Sequence, residues 1–405
     1  MNGKQRLWAG AWSVCLALAW MCGCTTAGEK SGGGSGVAGT QAAAGGNVAL
    51  DQAKDKRATN VIIVTMDGMR WQEVFGGFDP VLATESAGGV TRPTALRAAF
   101  ARESAEASRE AIFPFLWQVV AKKGEIFGDR AANNVGQVTN PYRFSYPGYN
   151  EMLCGYPDPR INSNDYKPNP NVSVLEWLNG RPGFEGKVAA YGAWNRISRI
   201  LNRDRSRLPM LSGWESIQPT GDLKLSEREN LLNDLLARTT RYWPDESTDS
   251  IMTEAAMEYF VRHKPRVFYV MLGETDEWAH GRRYDLYLES AHRSDAFIQR
   301  LWETAQSMPE YAGKTTLVIA TDHGRGATPQ DWTGHGAKIP GAEGWWAAMM
   351  GPGVEARGII GQGEETQGQI AATIAKLVGE DWNAAEPKAA KPLVELGGKA
   401  SASAN

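Results

Sequence analysis

The sequence predicts an α/β fold: a three-layer, doubly wound and mostly parallel sheet with helices on both faces. Short apolar runs have the composition of strands that are buried on both faces. They are Val61–Val64, the run within Arg266–Gly273, and Leu317–Ala320. Amphipathic patterns over Ser250–Arg262 and Tyr284–Ser307 predict helices between them. Strands that alternate with helices in this way form parallel sheets.

Each of these runs is followed by acidic residues or histidines. Asp67 follows the first run, Asp276 and His280 follow the second, and Asp322 with His323 follows the third. The carboxyl ends of parallel strands meet at one sheet edge, where ligands of open α/β folds bind. The sequence therefore predicts that these side chains converge, and that the nearby loop contributes His335.

Three aspartates and three histidines at one edge would repel and desolvate one another unless cations were present. Mixed oxygen and nitrogen donors suit two divalent metal ions, with zinc as the leading candidate and manganese as the alternative. A purely structural interpretation stays open. Asp67 could cap a following helix over Met69–Phe75, and Asp322 could cap a helix beside a surface histidine.

Ser145 precedes Pro147, and proline favours the first turn of a helix. A helix over Tyr149–Cys154 would place the Ser145 hydroxyl in a field that favours anions. Bound to a metal, that hydroxyl would have a lowered pKa and would act as a nucleophile. The alternative is that Ser145 only caps the helix.

Length and charge exclude some function classes. The chain has 405 residues and a formal net charge of −3, so it offers no electrostatic case for nucleic-acid binding. His263 and His292 lie on predicted helices away from the strand ends, and we expect both to be structural.

The N-terminus has the pattern of an export signal. Lys4 and Arg6 precede an apolar run over Leu7–Met21, and Cys24 follows a small residue. This predicts a lipoprotein signal over 1–23 with Cys24 lipidated, so that the chain is membrane-anchored in a bacterial envelope, on the periplasmic or extracellular side. Lipidation at Cys22 and ordinary cleavage near Ala27 are the alternatives.

Composition divides the rest of the chain into three parts. A glycine- and serine-rich tether over 24–57 is predicted to be disordered. The catalytic domain is predicted over 58–384, and a disordered tail over 385–405.

Together these motifs resemble the alkaline phosphatase superfamily, most closely its nucleotide pyrophosphatase/phosphodiesterase-like branch. The resemblance covers Asn60–Val354. It implies one metal held by Asp276, His280 and His335. It implies a second metal held by Asp67, Ser145, Asp322 and His323. It also implies Ser145 as the nucleophile and Asn164 as a ligand of a phosphoryl oxygen.

The resemblance implies a hydrolase of small phosphate esters, diesters or monoesters, that acts through a phosphoseryl intermediate. Sulfatases carry an arginine four residues after the modified nucleophile, where this chain has Tyr149. Cofactor-independent phosphoglycerate mutases carry a large inserted domain, and the stretch from Ser145 to Asp276 is short for one. A transferase or sulfatase-like enzyme on the same fold, or a catalytically silent tethered binding protein, remains the alternative function.

Overall fold

The computed structural model describes residues 57–394. The strands are β1 (Asn60–Met66), β2 (Gly124–Phe127), β3 (Asn134–Gln137), β4 (Val188–Gly192), β5 (Met210–Ser212), β6 (Val267–Leu272), β7 (Thr315–Ala320), β8 (Ala347–Met350), β9 (Gly358–Ile359) and β10 (Gly363–Thr366).

The first helices are α1 (Glu85–Gly88), α2 (Pro93–Phe100), α3 (Ala105–Ile112), α4 (Ala121–Lys123), α5 (Ser145–Cys154), α6 (Val174–Asn179) and α7 (Ile197–Ile200). The remaining α-helices are α8 (Arg203–Ser206), α9 (Glu227–Arg238), α10 (Asp249–His263), α11 (Glu274–His280), α12 (Tyr284–Ser307), α13 (Gln369–Leu377) and α14 (Trp382–Ala385). Two π-helical turns, Gln72–Gly76 and Leu116–Val120, and a 3-10 turn, Arg130–Ala132, complete the helical elements.

The main sheet has eight strands in the order β5-β4-β6-β1-β7-β8-β2-β9. Strand β8 pairs antiparallel with both of its neighbours, and every other pairing in the sheet is parallel. A mostly parallel sheet surrounded by helices confirms the predicted fold class. A separate parallel pair, β10 with β3, lies outside this sheet.

The central strands β6, β1 and β7 supply the edge on which the site is built. Their residues are all buried, as expected for apolar strands covered on both faces. Thr65 pairs with Met271 on one side and with Ala320 on the other, so the three carboxyl ends lie level. The residues that follow these strands therefore emerge side by side.

One predicted helix is wrong. We expected a helix over Met69–Phe75, but the chain turns after β1 and only Gln72–Gly76 is helical, as a π-helical turn. Gly68 has a φ of 57°, in the left-handed region, which prevents an α-helix from starting directly after Asp67. The expected helix over Tyr284–Ser307 is confirmed with the same bounds.

The expected disorder of the C-terminal tail is wrong for residues 385–394, since Ala389 and Val394 are buried. The backbone N–H of Ala390 donates to the carbonyl of Gly155 at 2.8 Å. The packed domain therefore continues past the expected boundary at 384. The predicted signal peptide and lipidated Cys24, the tether up to residue 56 and the last residues of the tail lie outside the described range. No helix within residues 57–394 is both long and apolar enough to cross a membrane.

Candidate metal centre and nucleophile

The predicted ligands form two groups at the carboxyl edge of the sheet. One group comprises Asp67, Asp322 and His323, and the other comprises Asp276, His280 and His335. In each group the three donor atoms lie within 4.8 Å of one another. Residues from the ends of β1, β6 and β7 thus come together as the sequence predicted.

The first group is buried between β1 and β7. His323 Nε2 lies 3.4 Å from Asp67 Oδ1 and 3.5 Å from Asp322 Oδ2. Asp322 Oδ1 accepts a hydrogen bond from the backbone N–H of Gly68 at 3.0 Å, which ties the ends of the two strands together. Asp67 caps no helix: its carboxylate lies against side chains of the site.

The second group lies on α11 and on the loop after β7. The four-residue spacing of Asp276 and His280 places Asp276 Oδ2 at 3.0 Å from His280 Nε2. His335 Nε2 lies 2.9 Å from His280 Nε2 and 3.7 Å from Asp276 Oδ1. His280 is partly open to solvent, whereas the first group is fully enclosed.

Ser145 lies beside the first group, at the N-terminus of α5. Its Oγ is 3.2 Å from His323 Nε2 and 3.5 Å from Asp67 Oδ1. Phe144, not Ser145, occupies the N-cap position, and Ser145 makes no capping hydrogen bond. The structure therefore contradicts the interpretation that Ser145 is only a helix cap.

Tyr149 lies one turn after Ser145 on the same face of α5. It is fully buried, and its hydroxyl donates to Asp67 Oδ2 at 3.0 Å. One helical turn thus positions both the hydroxyl of Ser145 and the phenol that orients Asp67. In the sequence, Tyr149 stood out only because sulfatases have an arginine at this position. Its contact with Asp67 was not predicted.

Arg325 was also not predicted as a residue of the site, although it follows His323 by two residues. Its side chain is fully buried, and its Nη1 forms an ion pair with Asp276 Oδ1. The guanidinium also donates to two backbone carbonyls, from Nε to Trp332 at 3.2 Å and from Nη2 to Thr333. A positive charge is therefore fixed beside one ligand of the second group.

Gly68 allows Asp276 and Arg325 to approach the end of β1. A Cβ atom at this position would lie 2.4 Å from Asp276 Oδ1 and 2.8 Å from Arg325 Nη1. Together with the positive φ of Gly68, this close approach explains why glycine follows Asp67.

The charges of the site are poorly balanced by the protein alone. Burial and the Asp276 carboxylate raise the pKa of Asp67, while burial and Asp67 raise the pKa of Asp322 well above its usual range. Burial opposes the charged form of His323, but Asp322 and Asp67 raise its pKa to about 9. Buried carboxylates this close to one another favour bound cations.

Two buried ligand atoms support the same interpretation. Asp322 Oδ2 and His335 Nδ1 have no hydrogen-bond partner among the described residues. Buried polar atoms are rarely left without a partner. The free carboxylate oxygen of Asp322 faces the first donor group, and the set of carboxylate and imidazole donors fits a borderline divalent metal.

Comparison with protein families identifies the chain. The family model for type I phosphodiesterase / nucleotide pyrophosphatase matches residues 116–391, which is more than half of the chain. The chain belongs to the type I phosphodiesterase/nucleotide pyrophosphatase family. This membership confirms the resemblance stated above. The family is metal-dependent.

Solved structures show the same fold at low sequence identity. The alkaline phosphatase PafA is 11% identical with a TM-score of 0.50, and the match covers 83% of this chain and 98% of that one. A putative sulfatase from Bacteroides thetaiotaomicron is 12% identical with a TM-score of 0.50, covering 80% and 71%. No match was found among curated proteins. At these identities the structural likeness establishes the alkaline phosphatase-like fold alone.

In this phosphodiesterase-family chain, Asn164 lies next to Ser145. Its Oδ1 accepts a hydrogen bond from the backbone N–H of Tyr146 at 2.9 Å and so caps α5. Arg196 holds the Asn164 loop by donating from Nε to the Asn164 carbonyl at 3.2 Å. Within residues 57–394, no group of the site accepts a hydrogen bond from Asn164 Nδ2.

Several other residues of this phosphodiesterase-family chain have structural roles. Trp332 is buried and donates to the Ala87 carbonyl at 3.1 Å. As expected, both remaining histidines are structural. His292 donates from Nδ1 to the Ile112 carbonyl at 2.9 Å, and His263 stacks on Tyr259 with ring centroids 4.3 Å apart.

Proposed function

We propose that this protein is a metal-dependent phosphodiesterase that acts on small molecules through a covalent phosphoseryl intermediate at Ser145. One observation carries the proposal. Ser145 Oγ lies at the N-terminus of α5, within 3.5 Å of donor atoms of the first ligand group, and the second group lies alongside. Metal-dependent phosphoryl transfer requires a nucleophile beside clustered donors of this kind.

The ligand groups fit two divalent ions, most simply zinc, with manganese as the alternative. Asp67, Asp322, His323 and Ser145 would hold one ion. Asp276, His280 and His335 would hold the other. Bound ions would lower the pKa of the Ser145 hydroxyl and offset negative charge on the phosphoryl oxygens.

The residues of the chain itself supply the nucleophile and its orientation. Ser145 Oγ loses its proton and attacks phosphorus, and the bond between phosphorus and the leaving oxygen breaks. The leaving alcohol takes up a proton. Water then attacks phosphorus, the bond to Ser145 Oγ breaks, and Ser145 recovers its proton. Asn164 would donate from Nδ2 to a phosphoryl oxygen during both displacements.

The charged side chains around the site favour diesters over monoesters. A monoester carries an additional negative oxygen, which would require an additional cationic partner. Arg143 pairs with Glu343 at 3.1 Å, and Arg160 is hydrogen-bonded to Asp158 at 3.0 Å. Arg282 donates to the Ser86 carbonyl at 2.8 Å. Arg325 pairs with Asp276. These four guanidinium groups are therefore already paired with carboxylates or backbone carbonyls.

Tyr149 favours phosphate over sulfate esters. It occupies the place of the sulfatase arginine, and it contacts Asp67 rather than Ser145. Unlike the sulfatase arginine, the neutral phenol of Tyr149 has no positive charge with which to stabilise a nucleophile derived from formylglycine.

Substrate comparison tests the proposal. The purified protein, supplied with zinc or manganese, should hydrolyse an aryl phosphate diester faster than the matching monoester or aryl sulfate. Chelator and Ser145→Ala should abolish the activity, whereas Ser145→Thr, which keeps a hydroxyl, should retain part of it. Near-normal turnover by metal-loaded Ser145→Ala would contradict the proposal.

We also propose that the enzyme is exported and anchored to a bacterial membrane through a lipid on Cys24. The sequence pattern of residues 1–24 supports this proposal. The tether that follows would let the catalytic domain reach small substrates away from the membrane surface.

A further inference from the structure

The two ligand groups differ in formal charge. Asp67 and Asp322 give the first group two carboxylates. Among residues 57–394, no cationic side chain other than the group's own His323 lies within hydrogen-bonding distance of them. The second group contains one carboxylate, Asp276, and Arg325 already pairs with it. When the histidines are neutral, the first group carries about two negative charges, while the second group together with Arg325 carries none.

The aspartates are also oriented by partners of different charge. The neutral phenol of Tyr149 donates to Asp67 Oδ2 at 3.0 Å, whereas a guanidinium pairs with Asp276 Oδ1. Tyr149 orients its carboxylate and leaves the negative charge available to a cation. Arg325 orients its carboxylate but offsets that charge.

Arg325 cannot move away from the second group without losing several contacts. Its guanidinium is fully buried and donates to the carbonyls of Trp332 and Thr333. Gly68 closes the other side, since a Cβ atom there would lie 2.8 Å from Arg325 Nη1. Arginine is a cationic side chain with five N–H donors and no acceptor. The positive charge is therefore a permanent part of the second group.

Burial increases the difference between the groups. The carboxylates of the first group and His323 are all buried, whereas the His280 side chain is 45% exposed. Charges interact more strongly where water is excluded. An ion that enters the buried group must lose its bound water, and this desolvation costs free energy. The attraction of two unpaired carboxylates offsets that cost more readily than the attraction of one carboxylate that is already paired with an arginine.

We infer that the two groups bind metal ions in a fixed order, the Asp67 group first and tightly and the Asp276 group second and weakly, and that Arg325 is the positioning residue that weakens the second. This inference rests on the proposed two-metal function. The second ion would then exchange more readily, so the available metal concentration would set the fraction of protein that is fully loaded.

Direct measurement of zinc binding tests the inference. The metal-free protein is titrated with zinc against chelator buffers, and the bound zinc is counted per chain. We expect two steps that differ in affinity by about tenfold or more. His280→Gln should remove the weak step, and Asp322→Asn should remove the tight step.

The role of Arg325 is tested by Arg325→Gln, which keeps a hydrogen-bond donor but removes the charge. We expect this variant to strengthen the weak step by roughly tenfold and to leave the tight step unchanged. Arg293→Gln is the matched control, because Arg293 of α12 pairs at 2.7 Å with Glu274, which lies on α11 with Asp276, and no hydrogen bond or ion pair joins Arg293 to a proposed ligand within residues 57–394. The control should leave both steps unchanged.

Three outcomes would overturn the inference while leaving the hydrolase proposal intact. They are two zinc-binding steps of equal affinity, assignment of the tight step to the Asp276 group, and a weak step of unchanged affinity in folded Arg325→Gln. If Arg325→Gln does not fold, the wild-type titration with His280→Gln and Asp322→Asn still decides the binding order. Failure of the wild-type protein to bind zinc or manganese at all would overturn both proposals.

Discussion

Single residues hold the proposed metal ligands in place. Tyr149 contributes no atom to either ligand group, yet its hydroxyl orients Asp67 from a distance of 3.0 Å. Hydrogen bonds to metal ligands commonly change metal affinity or activity by about 10–100-fold. The two long-range contacts, Tyr149 to Asp67 and Arg325 to Asp276, therefore deserve the same experimental treatment as the ligands themselves.

Tyr149→Phe is expected to lower metal affinity and turnover by about 10–100-fold, because Asp67 loses the donor that orients it. Isothermal titration with zinc and steady-state turnover measure the effect. Tyr146→Phe is the matched control: it lies on the same helix, and its hydroxyl donates to the Lys167 carbonyl at 2.9 Å rather than to a ligand. Equal losses in both variants would contradict the role assigned to Tyr149.

Gly68→Ala is expected to reduce metal binding as well as stability, because its Cβ would displace Asp276 and Arg325. Gly221→Ala separates this clash from backbone strain. Gly221 has a similar φ of 60°, and a Cβ there would meet nothing within 4 Å. Both variants should lose about 1 kcal/mol from strain, and only Gly68→Ala should lose zinc affinity. Normal zinc binding by Gly68→Ala would be inconsistent with the close approach.

The sequence was informative for residues next to strands and much less so for their distant partners. Asp67, Asp276, Asp322 and His323 were predictable because each follows an apolar run closely. The contact of Tyr149 with Asp67 joins residues 82 positions apart, and that of Arg325 with Asp276 joins residues 49 positions apart. Local patterns carry no information about such contacts.

At the scale of elements, helices are joined to one another by buried side chains. Asp295 of α12 accepts hydrogen bonds from the backbone N–H groups of Phe115 at 2.7 Å and Leu116 at 2.9 Å. These donors begin the π-helical turn Leu116–Val120, so Asp295 acts as its cap from a different helix.

Asp295→Ala is expected to destabilise the protein by about 1–3 kcal/mol, because two buried N–H groups lose their acceptor. Denaturant unfolding measures the change. The control is Asp234→Ala, which removes an exposed pair with Arg238 on one helix and should cost less than about 0.5 kcal/mol. A cost for Asp295→Ala no larger than for the control would rule out the capping role.

The same carboxylate predicts a pH dependence. Burial raises the pKa of Asp295 to about 7, despite the two N–H donors, whereas an unfolded aspartate has a pKa of about 3.9. The folded state therefore binds the proton more tightly, and this stabilisation is present below about pH 4 and is lost as the pH rises through about 7. The stability difference between wild type and Asp295→Ala should shrink over that interval.

Elements were predictable where their patterns were long or strongly apolar. The 24 residues of α12 and the buried strands β1, β6 and β7 follow the expected patterns closely. The strands β5 and β9 were missed because three and two residues are too few to show a period. The antiparallel direction of β8 depends on tertiary pairing, which the sequence pattern does not encode.

At the scale of the whole molecule, the proposed lipid anchor on Cys24 predicts that membrane attachment can be removed without loss of turnover. Cys24→Ser is expected to move the protein from the membrane fraction to the soluble fraction of the cell envelope, without loss of turnover. Cys22→Ser is the matched control and should leave the protein in the membrane fraction. Cell fractionation and lipid labelling measure the outcome. Retention of lipid by Cys24→Ser, or its loss only in Cys22→Ser, would assign the modification to a different residue.

The central claim is that Ser145 attacks phosphorus and that water attacks in a second displacement. The most direct test is the stereochemistry of hydrolysis, measured with a phosphorothioate diester of known configuration in isotopically labelled water. Two in-line displacements each invert phosphorus, so a phosphoseryl intermediate predicts net retention of configuration. Net inversion would mean that water attacks the substrate in one step, and it would contradict the role assigned to Ser145.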